Sequence, residues 1–178
     1  MLAEEVGVNE RTLRRAVGEG TLRGTRRSPR RLELSLAERQ YVRRSWRLLA
    51  ALRGALRTEP NVRFALLFGS MAAGADTADS DIDVLVDLRD GSLERMVDLN
   101  TKLSAVTGRS VDVVRLKDAE GEPSFLAEVL AYGRVLVDRE GQRSQLRRRK
   151  AQLEGRGRQE DARRTGAALA GIDALIGA

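Results

Sequence analysis

The chain has 178 residues, is 42% apolar and carries a formal net charge of +6. A chain of this length buries one core and at most a small second one, so we expect one or two domains and exclude a large multidomain enzyme. Because there is no cysteine and no histidine, disulfides, thiolate nucleophiles, imidazole bases and the usual zinc sites are excluded. Any chemistry must come from carboxylates, hydroxyls, lysine or arginine.

Charge divides the chain into three parts. Residues 1–60 contain fourteen arginines and seven acids, residues 61–142 nine basic and fifteen acidic residues, and residues 143–178 nine basic and four acidic residues. Basic surfaces attract phosphate backbones, whereas clustered carboxylates need a cation. No apolar run reaches the roughly 20 residues that cross a bilayer, and the N-terminus lacks the pattern of a signal peptide, so we expect a cytoplasmic protein without a membrane span.

The N-terminal residues predict two short helices, over 2–6 and 9–17, with Asn9 as an N-cap. Their apolar faces can pack across the tight turn between them, which is typical of a helix-turn-helix. Leu22 and Leu32 flank an arginine-dense segment that predicts a small β-wing. We therefore assign residues 1–34 to a helix-turn-helix domain.

Ser35 followed by Glu38 is a capping-box pattern for a helix over 36–57. This helix has a broad apolar stripe and ends before Pro60. We interpret residues 35–59 as a linker helix between two modules.

Strands and helices alternate in residues 60–142. The pattern predicts strands over 63–68, 81–88 and 111–116, helices over 92–108 and 123–132, and a short edge strand over 134–138. It favours an α+β (α/β-like) domain with a small mixed sheet flanked by helices. Residues 143–178 form a basic tail, for which charge and glycines predict a frayed helix or disorder, followed by a docking helix near 167–176.

The informative stretch is residues 67–88. Asp81 and Asp83 lie on one face of a strand, and two carboxylates side by side repel each other, which a divalent cation relieves. Gly69 and Ser70 open a turn whose N–H groups can receive phosphate oxygens. Asp112 interrupts an apolar strand and needs a partner such as a metal. Convergence of the three carboxylates would suit phosphoryl or nucleotidyl transfer.

These residues carry a resemblance. Gly69-Ser70, then ten residues and Asp81-x-Asp83, with Gly74 and Ser80 between them and Asp112 on a later strand, resembles the minimal nucleotidyltransferases of the DNA polymerase β superfamily. The resemblance implies catalytic and metal-binding roles for Asp81, Asp83 and Asp112 with Mg²⁺ or Mn²⁺. It also implies that Gly69, Ser70 and Ser80 bind the nucleotide, ATP or another nucleoside triphosphate. Ala73 departs from the pattern, because many members have arginine or lysine there.

Residues 2–34 resemble the helix-turn-helix of MerR-like and excisionase-like regulators. Arginines on a recognition helix reach guanine edges, and a wing lies over the backbone or minor groove. The resemblance implies DNA contacts from two groups of residues: Asn9, Arg11, Thr12, Arg14 and Arg15 on the second helix, and Arg26, Arg27, Arg30 and Arg31 on the wing.

The combined hypothesis is a DNA-bound nucleotidyltransferase. It is similar to antitoxins that transfer a nucleotide to a hydroxyl of a partner toxin and repress their own operon, with a homodimer reading two half-sites. Two alternatives stay open. One is a catalytically inactive transcriptional regulator that uses the transferase fold for binding or dimerisation, and the other is a small-molecule nucleotidyltransferase.

Overall fold

The computed structural model describes residues 2–28, 32–149, 152–159 and 163. The elements are, in chain order, helices α1 (Leu2–Glu5) and α2 (Glu10–Glu19), strands β1 (Thr25–Arg26) and β2 (Leu32–Glu33), helix α3 (Leu36–Arg57), strand β3 (Val62–Phe68), helix α4 (Gly69–Ala73), strand β4 (Ile82–Leu88), helix α5 (Leu93–Thr107), strand β5 (Val111–Arg115), helices α6 (Leu116–Ala119) and α7 (Pro123–Tyr132), and strand β6 (Arg134–Asp138). Residues 142–149 and 152–159 are also helical.

A mixed sheet with the strand order β5-β4-β3-β6 organises the fold. Strand β3 pairs antiparallel with β4 and with β6, and β4 pairs parallel with β5. Strand β6 lies at the edge, as the sequence predicts. The prediction of an α+β fold with a small mixed sheet flanked by helices is confirmed.

Each face of the sheet has its own buried cluster, because side chains alternate along a strand. Ile82 and Val84 of β4 belong to the cluster that includes residues of α3 and α5. Leu85 belongs to the other cluster, which includes residues of α7 and of the two C-terminal helical segments. Asp83 shares the parity of Leu85 and therefore lies on this second face.

Helix α3 has the predicted bounds, and the hydroxyl of Ser35 accepts a hydrogen bond from the Glu38 backbone N–H at 3.1 Å. A capping box also requires the Glu38 side chain to accept a hydrogen bond from the Ser35 backbone N–H, and this half of the prediction is wrong. Glu38 is only 5% exposed, and its carboxylate accepts hydrogen bonds from Arg134 at 2.6 and 3.0 Å. An unpaired guanidinium buried at that point would be costly, so the long-range ion pair prevails over the local cap.

The N-terminal helices pack against α3 and against the edge of the sheet. Helix α2 runs two residues beyond the prediction because Gly20, and not Gly18, adopts the left-handed conformation that ends it. Leu22 is buried in the cluster that contains α3, and the hydroxyl of Thr21 donates to the carbonyl of Val135 at 2.6 Å. Strands β1 and β2 form a two-stranded antiparallel ladder where the wing is predicted. The domain boundaries at residues 34, 59 and 142 stay predictions.

The first part of the C-terminal tail is ordered, unlike the frayed or disordered segment that its charge predicts. Leu146 and Leu153 are 3% and 4% exposed and pack in the second buried cluster, because each helical segment presents an apolar side chain to the sheet. The docking helix predicted near 167–176 lies outside the described residues. Among the helices that the structure describes, none combines the length and apolarity required to cross a membrane.

Candidate functional site

Asp83 and Asp112 are neighbours across the β4–β5 ladder, where they form a register pair. Asp81 immediately precedes β4, which begins at Ile82, and its charge, like that of Asp112, acts on Asp83. Asp81 and Asp112 are exposed, and Asp83 is partly buried. The structure therefore brings together the three acidic residues that the sequence singles out.

The three carboxylates form an uncompensated negative cluster. Burial raises the pKa of Asp83, and the charges of Asp112 and Asp81 raise it further. In the described part of the chain, no side chain donates a hydrogen bond to these three groups or forms an ion pair with them. Asp87, farther along the same face of β4, differs because Arg63 and Gln142 donate to its two oxygens at 2.7 and 2.6 Å.

Gly69 brings the chain backbone against Asp83. It follows strand β3, whose last residue, Phe68, is the register partner of Asp83. Gly69 has a φ of +67°, and a Cβ at this position would overlap Asp83 Oδ2. Only glycine satisfies both constraints without strain. Ser70 follows in the first turn of α4, so both predicted phosphate-binding residues lie beside the acidic cluster.

Two arginines fix the other end of α4. The carbonyl of Ala72 accepts a hydrogen bond from Arg134 Nε at 2.7 Å and one from Arg23 Nη2 at 3.4 Å. Arg134 is 1% exposed and comes from β6, whereas Arg23 follows α2. The position of the glycine-serine turn therefore depends on groups far away in the sequence.

The loop from Gly74 to Ser80 is held by two further arginines that the sequence analysis does not single out. Arg109 donates from Nε to the Ser80 carbonyl at 3.0 Å and from Nη1 to Asp76 Oδ2 at 3.2 Å. Arg44 of α3 donates to the Gly74 carbonyl at 2.5 Å and to Asp76 Oδ1 at 3.2 Å. Arg44 thus brings a positive charge next to Ala73, where the sequence lacks one. Nothing local in the sequence links Arg44 or Arg109 to this loop.

The hydroxyl of Ser80 closes a turn. Its oxygen accepts a hydrogen bond from the Thr77 N–H at 2.9 Å and lies 3.0 Å from the Thr77 hydroxyl. Ser80, which is predicted to bind the nucleotide, therefore stabilises the turn that immediately precedes Asp81.

The oxygen ligands of the three aspartates suit a hard divalent cation. Carboxylate oxygens are the ligands that Mg²⁺ prefers, and a cation relieves the repulsion among Asp81, Asp83 and Asp112. Within the described residues, however, no group of three or more acidic side chains has the geometry of a metal site. Binding therefore requires these side chains to turn toward a common ion.

The predicted DNA-contacting residues lie on α2 and on the β1–β2 ladder. Asn9 caps α2, and its Oδ1 accepts hydrogen bonds from the N–H and the hydroxyl of Thr12 at 2.9 and 3.0 Å. Arg11 and Arg15 are exposed, whereas the side chain of Arg14 is only 24% exposed.

Ion pairs engage several of these arginines. Arg15 pairs with Glu19 at 2.7 Å, and Arg27 with Glu33 at 2.8 Å. The side chain of Arg26 and residues Arg30 and Arg31 lie outside the described part of the chain. The structure therefore gives positions for only part of the predicted interface, and it contains no DNA.

Comparison with known proteins gives a family and several similar folds. The family described as Polymerase beta, Nucleotidyltransferase matches residues 51–142. A toxin–antitoxin crystal structure with AMP-PNP is 23% identical, with a TM-score of 0.54, and the match covers 72% of this chain and 98% of that chain. A mutant of the toxin–antitoxin MntA–HpeT is 25% identical, with a TM-score of 0.51 and coverage of 69% and 93%.

A third similar structure is the tri-AMPylated Shewanella oneidensis HEPN toxin in complex with MNT antitoxin. It is 21% identical, with a TM-score of 0.50, and the match covers 72% of this chain and 96% of that chain. No match is found among curated proteins.

The segment that matches the family is more than half of the chain. It contains all four strands of the sheet, the glycine-serine turn and the three clustered aspartates. The chain belongs to the polymerase beta family of nucleotidyltransferases.

Proposed function

We propose that this chain transfers a nucleoside monophosphate from a nucleoside triphosphate, with ATP as the first candidate, to a hydroxyl of a partner toxin protein. The observation that carries the proposal is the cluster of Asp81, Asp83 and Asp112, directly beside Gly69. The similar folds support the choice of donor and acceptor. One is a toxin–antitoxin with AMP-PNP, and another contains an AMPylated toxin in complex with an antitoxin.

In this proposal Asp81, Asp83 and Asp112 are the residues that would hold Mg²⁺ or Mn²⁺. When bound there, the cation would supply positive charge against the triphosphate and would make the acceptor hydroxyl easier to deprotonate. The backbone of Gly69 and Ser70 would receive phosphate oxygens, because these residues open α4 and the first N–H groups of a helix have no partner within it. Ser80 contributes by closing the turn that leads to Asp81.

The transfer balances as an in-line substitution. The acceptor oxygen forms a bond to the α-phosphorus, the bond from the α-phosphorus to the bridging oxygen breaks, and pyrophosphate leaves. The hydroxyl proton moves to a carboxylate. Asp112 has the position for this role, because it is exposed and directly beside Asp83.

The test is transfer of label from α-³²P-ATP, with Mg²⁺, to the protein encoded by the neighbouring gene. We expect the wild type to label that protein and Asp83→Asn to abolish labelling. Asp87→Asn is the matched control, because Asp87 lies on the same face of β4 but is paired with Arg63. Equal labelling by wild type and Asp83→Asn would refute the proposal. Labelling of a small molecule alone would favour the small-molecule transferase.

We also propose that the N-terminal segment binds operator DNA, as a dimer over two half-sites. Arg11 supports this role, because it is exposed on α2 and has no ion-pair partner in the described part of the chain. In a fluorescence anisotropy titration, Arg11→Ala should weaken binding to the upstream operator. Absence of any wild-type binding would refute the DNA role. Operator binding without any labelling would favour the inactive regulator.

A further inference from the structure

A wide groove runs between helices α2 and α3, with a volume of about 960 Å³. Arg11, Arg14 and Arg15 of α2 line one wall, and residues of α3 line the other. On α3, the lining residues Trp46, Ala50, Arg53 and Arg57 are three or four positions apart, so they form one stripe along the helix. We call this feature the α2/α3 groove.

The α2/α3 groove has an excess of positive charge. Five of its lining residues are arginines, and none is acidic. Glu19, just outside the lining, forms ion pairs with Arg15, Arg53 and Arg57 together. One carboxylate cannot neutralise three guanidinium groups, and Arg11 adds a further positive charge to the same wall as Arg15.

Arg53 is an unusual residue for a protein surface. Its side chain is 8% exposed, and its Nε is buried without a hydrogen-bond partner in the described part of the chain. Burial lowers the pKa of Arg53, and the nearby charge of Arg57 lowers it further. A buried donor without an acceptor is costly, as is the crowding of like charges. An anionic ligand in the groove would relieve the crowding.

We propose that the α2/α3 groove holds the phosphodiester backbone of a nucleic acid strand. Guanidinium groups on two facing walls match a chain of phosphates, because arginine donates in pairs to phosphate oxygens. Asn9 Oδ1 accepts hydrogen bonds from the N–H and the hydroxyl of Thr12, so these two side chains are held together in the helix cap. The backbone is the same for every sequence, so contacts from the α3 wall of the groove should not distinguish one duplex from another.

This inference rests on the proposed DNA binding and extends it to α3, a helix that the helix-turn-helix resemblance does not include. A substitution of Arg57 distinguishes DNA binding by the α2/α3 groove from DNA binding by α2 alone. Arg57 lies on α3, it is 46% exposed, and no base-reading role is predicted for it. A recognition helix that acted alone would leave Arg57 without any effect on binding.

The experiment measures binding of the full chain to three fluorescent probes as a function of salt. The probes are the operator duplex, a scrambled duplex of the same length and a single strand of the same length. Arg57→Gln removes one charge from the groove, and Arg57→Lys keeps the charge. Arg47→Gln is the matched control, because Arg47 is exposed on the same helix but does not line the groove.

We expect Arg57→Gln to weaken binding to operator and scrambled duplex equally. One lost phosphate contact lowers the slope of log K against log salt by about 1, which is a loss of about fivefold at 0.15 M salt. Arg57→Lys should keep most of the slope, and Arg47→Gln should match the wild type. The single-stranded probe shows which form of nucleic acid the groove accepts. If Arg57→Gln also binds the single strand more weakly, the groove accepts single strands as well as duplexes. If only the affinity for the two duplexes falls, the groove accepts duplex DNA.

Two results overturn the inference and differ from each other. If the wild type binds the operator and Arg57→Gln binds it with the same slope, the groove is not a backbone site, although DNA binding through α2 stands. If the wild type binds no probe, the proposed DNA function fails together with the inference. Thermal unfolding of each variant verifies that a loss of binding is not a loss of fold.

Discussion

Replacement of Arg134 by methionine tests the buried ion pair that joins α3 to the edge of the sheet. The side chains of Arg134 and Glu38 are 2% and 5% exposed and are joined by hydrogen bonds of 2.6 and 3.0 Å. The guanidinium also lies 3.6 Å from the centre of the Tyr41 ring and donates to the Ala72 carbonyl. Methionine is similar in length but removes the charge and every donor.

The expected loss is large because Glu38 would remain buried without its partner. Removal of one member of a buried ion pair costs about 3–5 kcal/mol. For a chain of this length, 1 kcal/mol shifts the melting temperature by about 2–4 °C, so Arg134→Met should melt about 10 °C below the wild type.

Circular dichroism of thermal unfolding measures the effect, with Arg43→Met as the control. Arg43 pairs with Glu5 at the surface, where solvent screens the charges, so its loss should be barely measurable. The double variant Arg134→Met/Glu38→Gln should recover much of the stability, because no buried charge remains and glutamine still accepts from the Arg23 N–H. If Arg134→Met is no less stable than Arg43→Met, the reasoning is wrong.

Asp83→Asn should abolish transfer and raise the melting temperature at pH 7 in EDTA, because it removes a charge that burial and two neighbouring carboxylates disfavour. When Mg²⁺ replaces EDTA, only the wild type should gain stability. Gly69→Ala and Gly108→Ala should each lose about 1–2 kcal/mol, since both have a φ of +67°, but only Gly69→Ala should lose activity, because only its Cβ meets Asp83. Burial raises the pKa of Tyr41 to about 12, so the folded state releases the hydroxyl proton at a higher pH than the unfolded state does. The wild type should therefore lose stability between about pH 10 and pH 12 relative to Tyr41→Phe, and urea unfolding at those pH values measures the difference.

Local signals account for the parts of the fold that the sequence predicts well. Ser35 caps α3, and Gly108, with a φ of +67°, ends α5, as expected from residue types that satisfy helix ends. Alternation along β4 separates Asp83 from Ile82 and Val84 without any knowledge of the partner strands. These features depend on residues within a few positions of one another.

The rest of the site depends on contacts that no local pattern contains. The pairing of Asp83 with Asp112 requires β4 and β5 to be parallel neighbours, and the family resemblance, not spacing, supplied that expectation. The local pattern places Glu38 in a capping box, because a sequence pattern does not show that its partner is Arg134, 96 residues away. Arg109 gave no signal, because one arginine among many has no feature that links it to the Ser80 turn.

Two regions of the described structure are unbalanced in charge, in opposite senses. Most buried or partly buried charges are matched internally: Arg134 by Glu38, and Asp87 by Arg63. The aspartates around Asp83 have no such match within the described residues, and three arginines of the α2/α3 groove share one carboxylate. Folding alone gains nothing from either excess, since like charges repel and desolvation adds to the cost. In the proposed functions a ligand of opposite charge offsets each excess: a divalent metal with a triphosphate at the acidic cluster, and a phosphate backbone at the basic groove.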